Sequence, residues 1–241
     1  MKIGTQMKNA AKALSSSVSE LKFTEPVTFV YNPLDYAWSC HQKYLDRFAT
    51  STKKVIFLGM NPGPWGMAQT GIPFGEIPAV RDWMKITGEV KSPEAEHPKR
   101  PIEGIQCTRS EVSGRRLWGL FAEKFGDPDN FFEDHFVLNY CPLVFMEESG
   151  KNRTPDKLPV HERELLDQIC DIHLTKVVEI LQPEWLVGVG AFAESKLIAI
   201  TEKMVAPSKV IRILHPSPAS PAANRDWSGT AQKQLNDAGV W

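Results

Sequence analysis

The sequence predicts an α/β fold, a three-layer α/β/α arrangement around a central, mainly parallel sheet of four strands. Three observations carry this prediction. Four short apolar runs, at residues 55–58, 135–140, 185–189 and 209–214, have the length and composition of interior strands. Stretches with helical spacing alternate with them, and that order favours a parallel sheet covered by helices on both faces. The first and last runs each feed a loop rich in glycine or proline, and strand ends of this kind are where ligands gather on open α/β sheets. At 241 residues the chain can bury one large core, and no linker, repeat or low-complexity tract divides it, so a single domain over 1–241 is expected.

Residues 6–21 carry Lys, Ala, Leu and Ser at helical density, and Leu34, Ala37, Trp38, His41, Leu45 and Phe48 recur at helical spacing, giving two early helices. After the strand at 55–58 a Gly- and Pro-rich loop runs to Pro78, a helix spans 79–87, and 88–112 is irregular and polar. Ser113 reads as the N-cap of a helix with Leu117, Leu120, Phe121 and Phe125 on its face, ended by Gly126. The strand at 135–140 leads through a polar loop at 147–159 to a long helix at 160–181, with Leu165, Ile169, Ile172, Val177 and Ile180 as its inward face. Helices at 191–203 and 222–238 follow the last two strands.

A formal charge of −1 argues against a wholly basic nucleic-acid binder but leaves room for a local cationic groove. Cys40, Cys107, Cys141 and Cys170 are far apart and form no C-x-x-C pair, so neither a zinc site nor an iron–sulfur cluster is expected, and the thiols read as buried and reduced. No cofactor is suggested. Residues 1–19 lack the continuous apolar core of a signal peptide, and no stretch approaches the ~20 apolar residues of a membrane span, so a soluble intracellular protein without a membrane partner is expected.

Two loops hold the chemistry. The loop at 59–71 reads G-M-N-P-G-P-W-G-M-A-Q-T-G, where proline fixes the backbone and glycine lets it approach a ligand. It lacks the Gly-Lys-Ser/Thr ending of a P-loop and the G-x-G-x-x-G spacing of a dinucleotide site. The loop at 215–221 reads H-P-S-P-A-S-P. Separately, Asn61 is explicable as a turn former and His215 as a structural histidine, and an unrelated α/β enzyme holding a small anion stays open.

Extended to G-M-N-P-G-P-W-G-M-A-Q-T-G-I-P-F-G-E at 59–76, the first motif resembles the single-strand-selective monofunctional uracil-DNA glycosylases of the uracil-DNA glycosylase superfamily. H-P-S-P-x-x-P-x-A-N at 215–224 and N-Y-C-P-L at 139–143 match as well, and the likeness runs from about Tyr31 to Trp227. It implies a uracil-DNA glycosylase-like fold. The implied reaction is hydrolytic excision of uracil, and of 5-hydroxymethyluracil, from single- and double-stranded DNA in base excision repair, leaving an abasic site.

Residue by residue, the likeness makes Asn61 the holder of the attacking water and His215 the donor to the developing uracil anion. The backbone N–H of Met60 is set near uracil O2, and Gly63 stands beside C5, where a bulky side chain would exclude 5-substituted uracils. Phe74 would stack on the flipped base, and Asn139 would read O4 and N3–H. The segment Ser149, Gly150, Lys151, Asn152, Arg153, Thr154 and Pro155, running on toward Arg163, resembles the family's DNA-penetrating segment.

Ser217, Pro218 and Ala219 belong to the same DNA-binding set, but Ala219-Ser220 departs from the Arg-Asn of vertebrate members and puts a cationic wedge in doubt. No lysine is placed by the motifs to attack the sugar, so no Schiff base is expected. The expected partner is DNA carrying uracil or a related damaged base, met by a monomer without a metal, in the cytoplasm and nucleoid or in a nucleus. Competing readings are a superfamily glycosylase preferring hypoxanthine, xanthine or G·U mismatches, and a non-catalytic lesion-binding protein. Lys99, Arg100 and Arg109, in the irregular 88–112 stretch, receive no role.

Overall fold

Runs of β-branched and aromatic residues that are apolar at every position can be covered only from both sides, and they form the centre of the molecule. The computed structural model describes residues 1–205 and 208–241. In chain order its elements are α1 (Ile3–Ser19), β1 (Phe29–Tyr31), α2 (Pro33–Tyr36), α3 (Trp38–Phe48), β2 (Val55–Gly59), α4 (Met67–Thr70), α5 (Val112–Phe125) and α6 (Pro128–Asp134). They continue with β3 (His135–Asn139), β4 (Val144–Met146), β5 (Asn152–Arg153), α7 (Val160–Leu181), β6 (Trp185–Val189), α8 (Ala191–Thr201), β7 (Lys209–Ile213) and α9 (Pro221–Asp237).

The central sheet has the order β3-β2-β6-β7 and is parallel throughout, with Val55 opposite both His135 and Trp185, and Trp185 opposite Lys209. All five β2 residues are buried. On one side Phe57 meets Phe121 of α5 and Phe131 of α6, at centroid separations of 4.9 and 6.3 Å. Beyond the carboxyl end of β3, Tyr140 reaches α7, its hydroxyl donating to Asp171 Oδ1 at 2.7 Å. Because all four strands run the same way, the segments after β2, β3 and β7 emerge on one edge. The site lies there.

A second sheet, β1-β4-β5, is antiparallel and escapes the sequence reading, since strands of two and three residues are too short to show alternation. Its β5 turns the expected loop at 147–159 back against β4. The early helix divides at Ala37, where φ −105° and ψ 21° leave the helical region, and Asn32 caps the first piece by accepting from Leu34 N–H at 3.1 Å. Helix α6, capped by Asp127 and opened by Pro128, adds to the expected elements.

Three further expectations need correction. The helix expected at 79–87 is a single π-helical turn at Ala79–Trp83, stopped by Lys85 at φ 54°. Ser113 is not an N-cap: α5 begins behind Glu111, and the Ser113 hydroxyl donates instead to Pro216 O at 3.4 Å. The long helix has the expected bounds, and Val177 and Ile180 are buried as expected, but its first turns bury Leu166, Cys170 and Leu174 instead, while Leu165 and Ile172 are 52% and 73% exposed.

All four cysteines are free and buried. Among the described residues no three His, Cys, Asp or Glu side chains are grouped to hold a metal ion, and no helix is long and apolar enough to cross a membrane.

Candidate active site

A cavity of about 330 Å³ opens at the carboxyl edge of the central sheet, within the range of small-molecule sites, roughly 300–1,000 Å³. Met60, Asn61 and Gly63 enter it from the loop after β2, Asn139 from the end of β3, and His215 from the loop after β7. Phe74 completes it. Six residues named from the sequence are thus brought together, and Asn152, Thr154 and Ser217 of the expected DNA-binding set join them.

Gly59 makes the closeness of two of them possible. A Cβ there would lie 2.4 Å from Asn139 Oδ1 and 2.5 Å from the Phe74 ring, so only glycine lets both close over the strand end. Asn139 Oδ1 is buried with no hydrogen-bond partner among the described residues, while its Nδ2 meets Met67 Sδ at 3.3 Å. A buried oxygen left unpaired costs ~1–3 kcal/mol, which a donor on a bound ligand would recover.

Phe74 holds φ 53°, left-handed backbone that an L side chain adopts at a cost of ~1–3 kcal/mol. The neighbours impose it. Trp118 Nε1 donates to Pro73 O at 3.3 Å, Thr70 Oγ1 to Gly75 O at 3.1 Å and Glu76 N–H to Phe74 O at 2.7 Å. Held in this way, the ring stands 6.4 Å from the His215 ring, centroid to centroid.

Asn61 Nδ2 donates to Leu143 O at 3.1 Å. Asn61 lines the cavity with its amide nitrogen so engaged, and among the described residues no donor meets its Oδ1. His215 is similarly free at both ring nitrogens, and burial pulls its pKa below the usual histidine value, so the ring is neutral at pH 7. Its loop is clamped from two helices. Arg116 of α5 donates to Pro216 O at 3.1 Å and to Asn224 Oδ1 at 2.9 Å, and Trp227 Nε1 of α9 donates to Leu214 O at 2.6 Å.

The remaining DNA-binding candidates are dispersed. Arg153 turns toward Glu147 Oε1 at 3.5 Å and donates to Lys157 O at 3.1 Å, whereas Lys151 is largely exposed. Ser149, Gly150, Lys151, Arg153 and Pro155 lie outside the cavity lining, as do Arg163 in the first turn of α7, Pro218 and Ala219. Ala219 closes a turn by donating its N–H to Ser217 Oγ at 3.1 Å.

Two groups went unrecognised in the sequence. Glu111 lines the cavity, its Oε2 buried and unpartnered among the described residues, its pKa pushed up to about 7 by burial and then by the charge of Glu76. It occupies the space beside Gly63 that the likeness left vacant: a Cβ at 63 would sit 2.6 Å from Glu111 Oε1. The second is a stack on the first loop, where the Arg109 and Arg100 guanidiniums lie 4.6 and 5.2 Å from the Trp65 ring centroid. Neither arginine meets an acid among the described residues.

The irregular 88–112 stretch therefore has a place. Lys99 Nζ and Arg100 Nε donate to Ser149 O and Gly150 O at 3.4 and 2.9 Å, and buried Gln69 ties the first loop to Pro101 O and the Gly104 N–H. No local signal reveals either group, because both depend on segments that meet only in the folded chain.

The family model of the uracil DNA glycosylase superfamily matches residues 45–237. The chain is 48% identical to the single-strand selective monofunctional uracil-DNA glycosylase of Rattus norvegicus, over 94% of its own length and 82% of that protein. It is 47% identical to the protein of the same name from Mus musculus, over 94% and 81% of the two chains. Its fold resembles the crystal structure of wild-type SMUG2 from Pedobacter heparinus with a TM-score of 0.68 over 96% and 97% of the chains, at 15% identity.

Proposed function

The chain belongs to the uracil DNA glycosylase superfamily, and from that premise we propose that it is a monofunctional glycosylase that flips uracil out of DNA and hydrolyses its N-glycosidic bond. Water adds to C1′ of the deoxyribose, the bond from C1′ to N1 breaks, and the electron pair leaves with uracil as an anion. The products are an abasic sugar and free base. The reading is carried by the cavity that gathers Asn61, Phe74, Asn139 and His215.

Asn61 Oδ1 holds the water. An amide cannot serve as a general base at neutral pH, so the rate depends chiefly on stabilising the departing anion, through neutral His215 and the Met60 N–H. No lysine lines the cavity among the described residues, which favours hydrolysis over a Schiff base. The test is a single-stranded oligonucleotide with one uracil: the protein is expected to create a site that breaks only on alkali treatment. Asn61→Ala is expected to slow that single-turnover step by about a hundredfold or more while the uracil strand still binds. An intact uracil strand after prolonged incubation with the wild type would overturn the reading.

The proposed substrate extends to 5-hydroxymethyluracil and to uracil in both strand states, with single strands preferred. The Trp65 stack supports that preference, since an aromatic face flanked by guanidiniums suits unpaired bases and their phosphates. Ala219 offers no cation to invade a duplex. Trp65→Ala is expected to weaken single-strand binding by about tenfold, the low end of base stacking at ~1–3 kcal/mol, as read by fluorescence anisotropy. Unchanged anisotropy titrations would remove the stack from the DNA path. The remaining proposals are action as a monomer, in one domain, at DNA inside the cell.

A further inference from the structure

We infer that Arg109 binds the phosphodiester joining the extruded nucleotide to its neighbour on the same strand, and that the hollow beside it makes room for that neighbour. This rests on the uracil-pocket reading, since it needs a base in the cavity. Arg109 reaches the cavity wall by two routes. Its guanidinium lies 4.6 Å from the ring centroid of Trp65, two residues beyond Gly63, and its backbone stands two residues before Glu111. Gly63 and Glu111 both line the cavity. The same wall borders a second hollow of about 360 Å³, whose lining includes Ile77, Pro78, Ile105, Thr108, Arg109 and Ser110. Ser110 faces one space and Glu111 the other, so consecutive residues divide them.

Arg109 differs from the arginines around it in having its donors unspent. Arg100, at the same ring, gives Nε to Gly150 O at 2.9 Å, Arg81 is closed on Asp82 at 2.7 Å, and Arg115 donates to Ser110 Oγ at 3.2 Å. Among the described residues the Arg109 guanidinium meets no acid and no other acceptor. The carboxylate of the hollow, Glu76, is 5% exposed and already receives the Ser110 hydroxyl at 2.9 Å. The contact with Trp65 restrains the guanidinium and leaves its N–H fork free, and such a fork matches two oxygens of one phosphate. Position decides which phosphate. A base drawn into the cavity brings its own two phosphates to the rim, where Arg109 is held with space beside it for the next sugar.

The experiment uses a short single strand carrying one 2′-fluoro-2′-deoxyuridine, which resists cleavage, with a single uncharged methylphosphonate stepped through the linkages on either side. Binding is read by fluorescence anisotropy for wild type, Arg109→Gln and Arg81→Gln. Wild type is expected to lose about fivefold or more in affinity at one of the linkages flanking the uridine, and Arg109→Gln less than about twofold at that linkage. The slope of log K against log salt should be shallower by ~0.7 in Arg109→Gln, the share of one single-strand phosphate, and unchanged in Arg81→Gln. Arg109 is exposed, so its replacement leaves the core intact. The same methylphosphonate profile in wild type and Arg109→Gln overturns the inference, as does a wild type insensitive at both flanking linkages. An equal change of slope in Arg81→Gln would reduce the effect to bulk charge and overturn it too. Failure of the wild type to release uracil from an unmodified strand would instead sink the glycosylase reading.

Discussion

Replacing His215 with alanine is expected to slow uracil excision by about 10²–10³-fold, the loss of a donor worth ~2.7–4 kcal/mol at a developing anion. The magnitude follows from the surroundings of the ring. It is buried, neutral at pH 7 and unpaired at both nitrogens among the described residues, so its N–H is unspent until negative charge gathers on uracil O2. A donor whose bond strengthens only as the glycosidic bond breaks lowers the barrier more than it tightens ground-state binding.

Position matters as much as chemistry. The Arg116 and Trp227 bonds fix the loop before any substrate arrives, and Gly190, at φ 93°, allows the His215 Cβ to come within about 3.1 Å of where a side chain would begin. Those supports remain in His215→Ala, so the variant should fold and bind a uracil strand. Single-turnover cleavage at saturating enzyme checks this, and a slowing of less than about tenfold would deny His215 the role.

Asn139→Asp is expected to have a larger effect, on which base is cut. In the proposed complex Asn139 Oδ1 accepts from uracil N3–H, and Nδ2, now facing only a thioether, donates to O4. Cytosine offers the reverse pattern and would meet unpaired groups. Sites built on such bonds reject the wrong partner by ~10⁴–10⁵. A carboxylate can only accept, so it repels O4, opposes the uracil anion and suits the cytosine amino group.

The ratio of uracil to cytosine excision should therefore fall by about a thousandfold or more, measured on matched single strands. Uracil release within about tenfold of wild type would show that the base is read elsewhere.

Much of this site was legible before folding because its residues flank apolar strands. The run at 185–189 is β6 to the residue, and those at 55–58, 135–140 and 209–214 are β2, β3 and β7 with one end shifted by a residue. Their order in the sheet follows from parallel pairing, which brings Asn61, Asn139 and His215 to one edge from distant parts of the chain. The first half of the α7 face is not legible, because the helix carries two apolar stripes there and Cys170, easily left out as a hydrophobe, belongs to the buried one. Glu111 and the Trp65 stack were illegible for another reason. A glutamate in a polar stretch looks solvated until tertiary packing lays it against Gly63 and Gly66.

Phe74 shows durability and activity resting on one side chain. Glycine would adopt its backbone conformation at no strain, yet the residue is 7% exposed and packs in the hydrophobic core, and deleting a buried phenylalanine costs ~3–5 kcal/mol against the ~1–3 kcal/mol of strain relieved. The turn itself is held by bonds from Thr70, Trp118 and Glu76. Attempts to evolve a thermostable form of this protein will therefore find no gain in relaxing position 74, and the surface on which the damaged base lies is protected by the same packing that holds the fold.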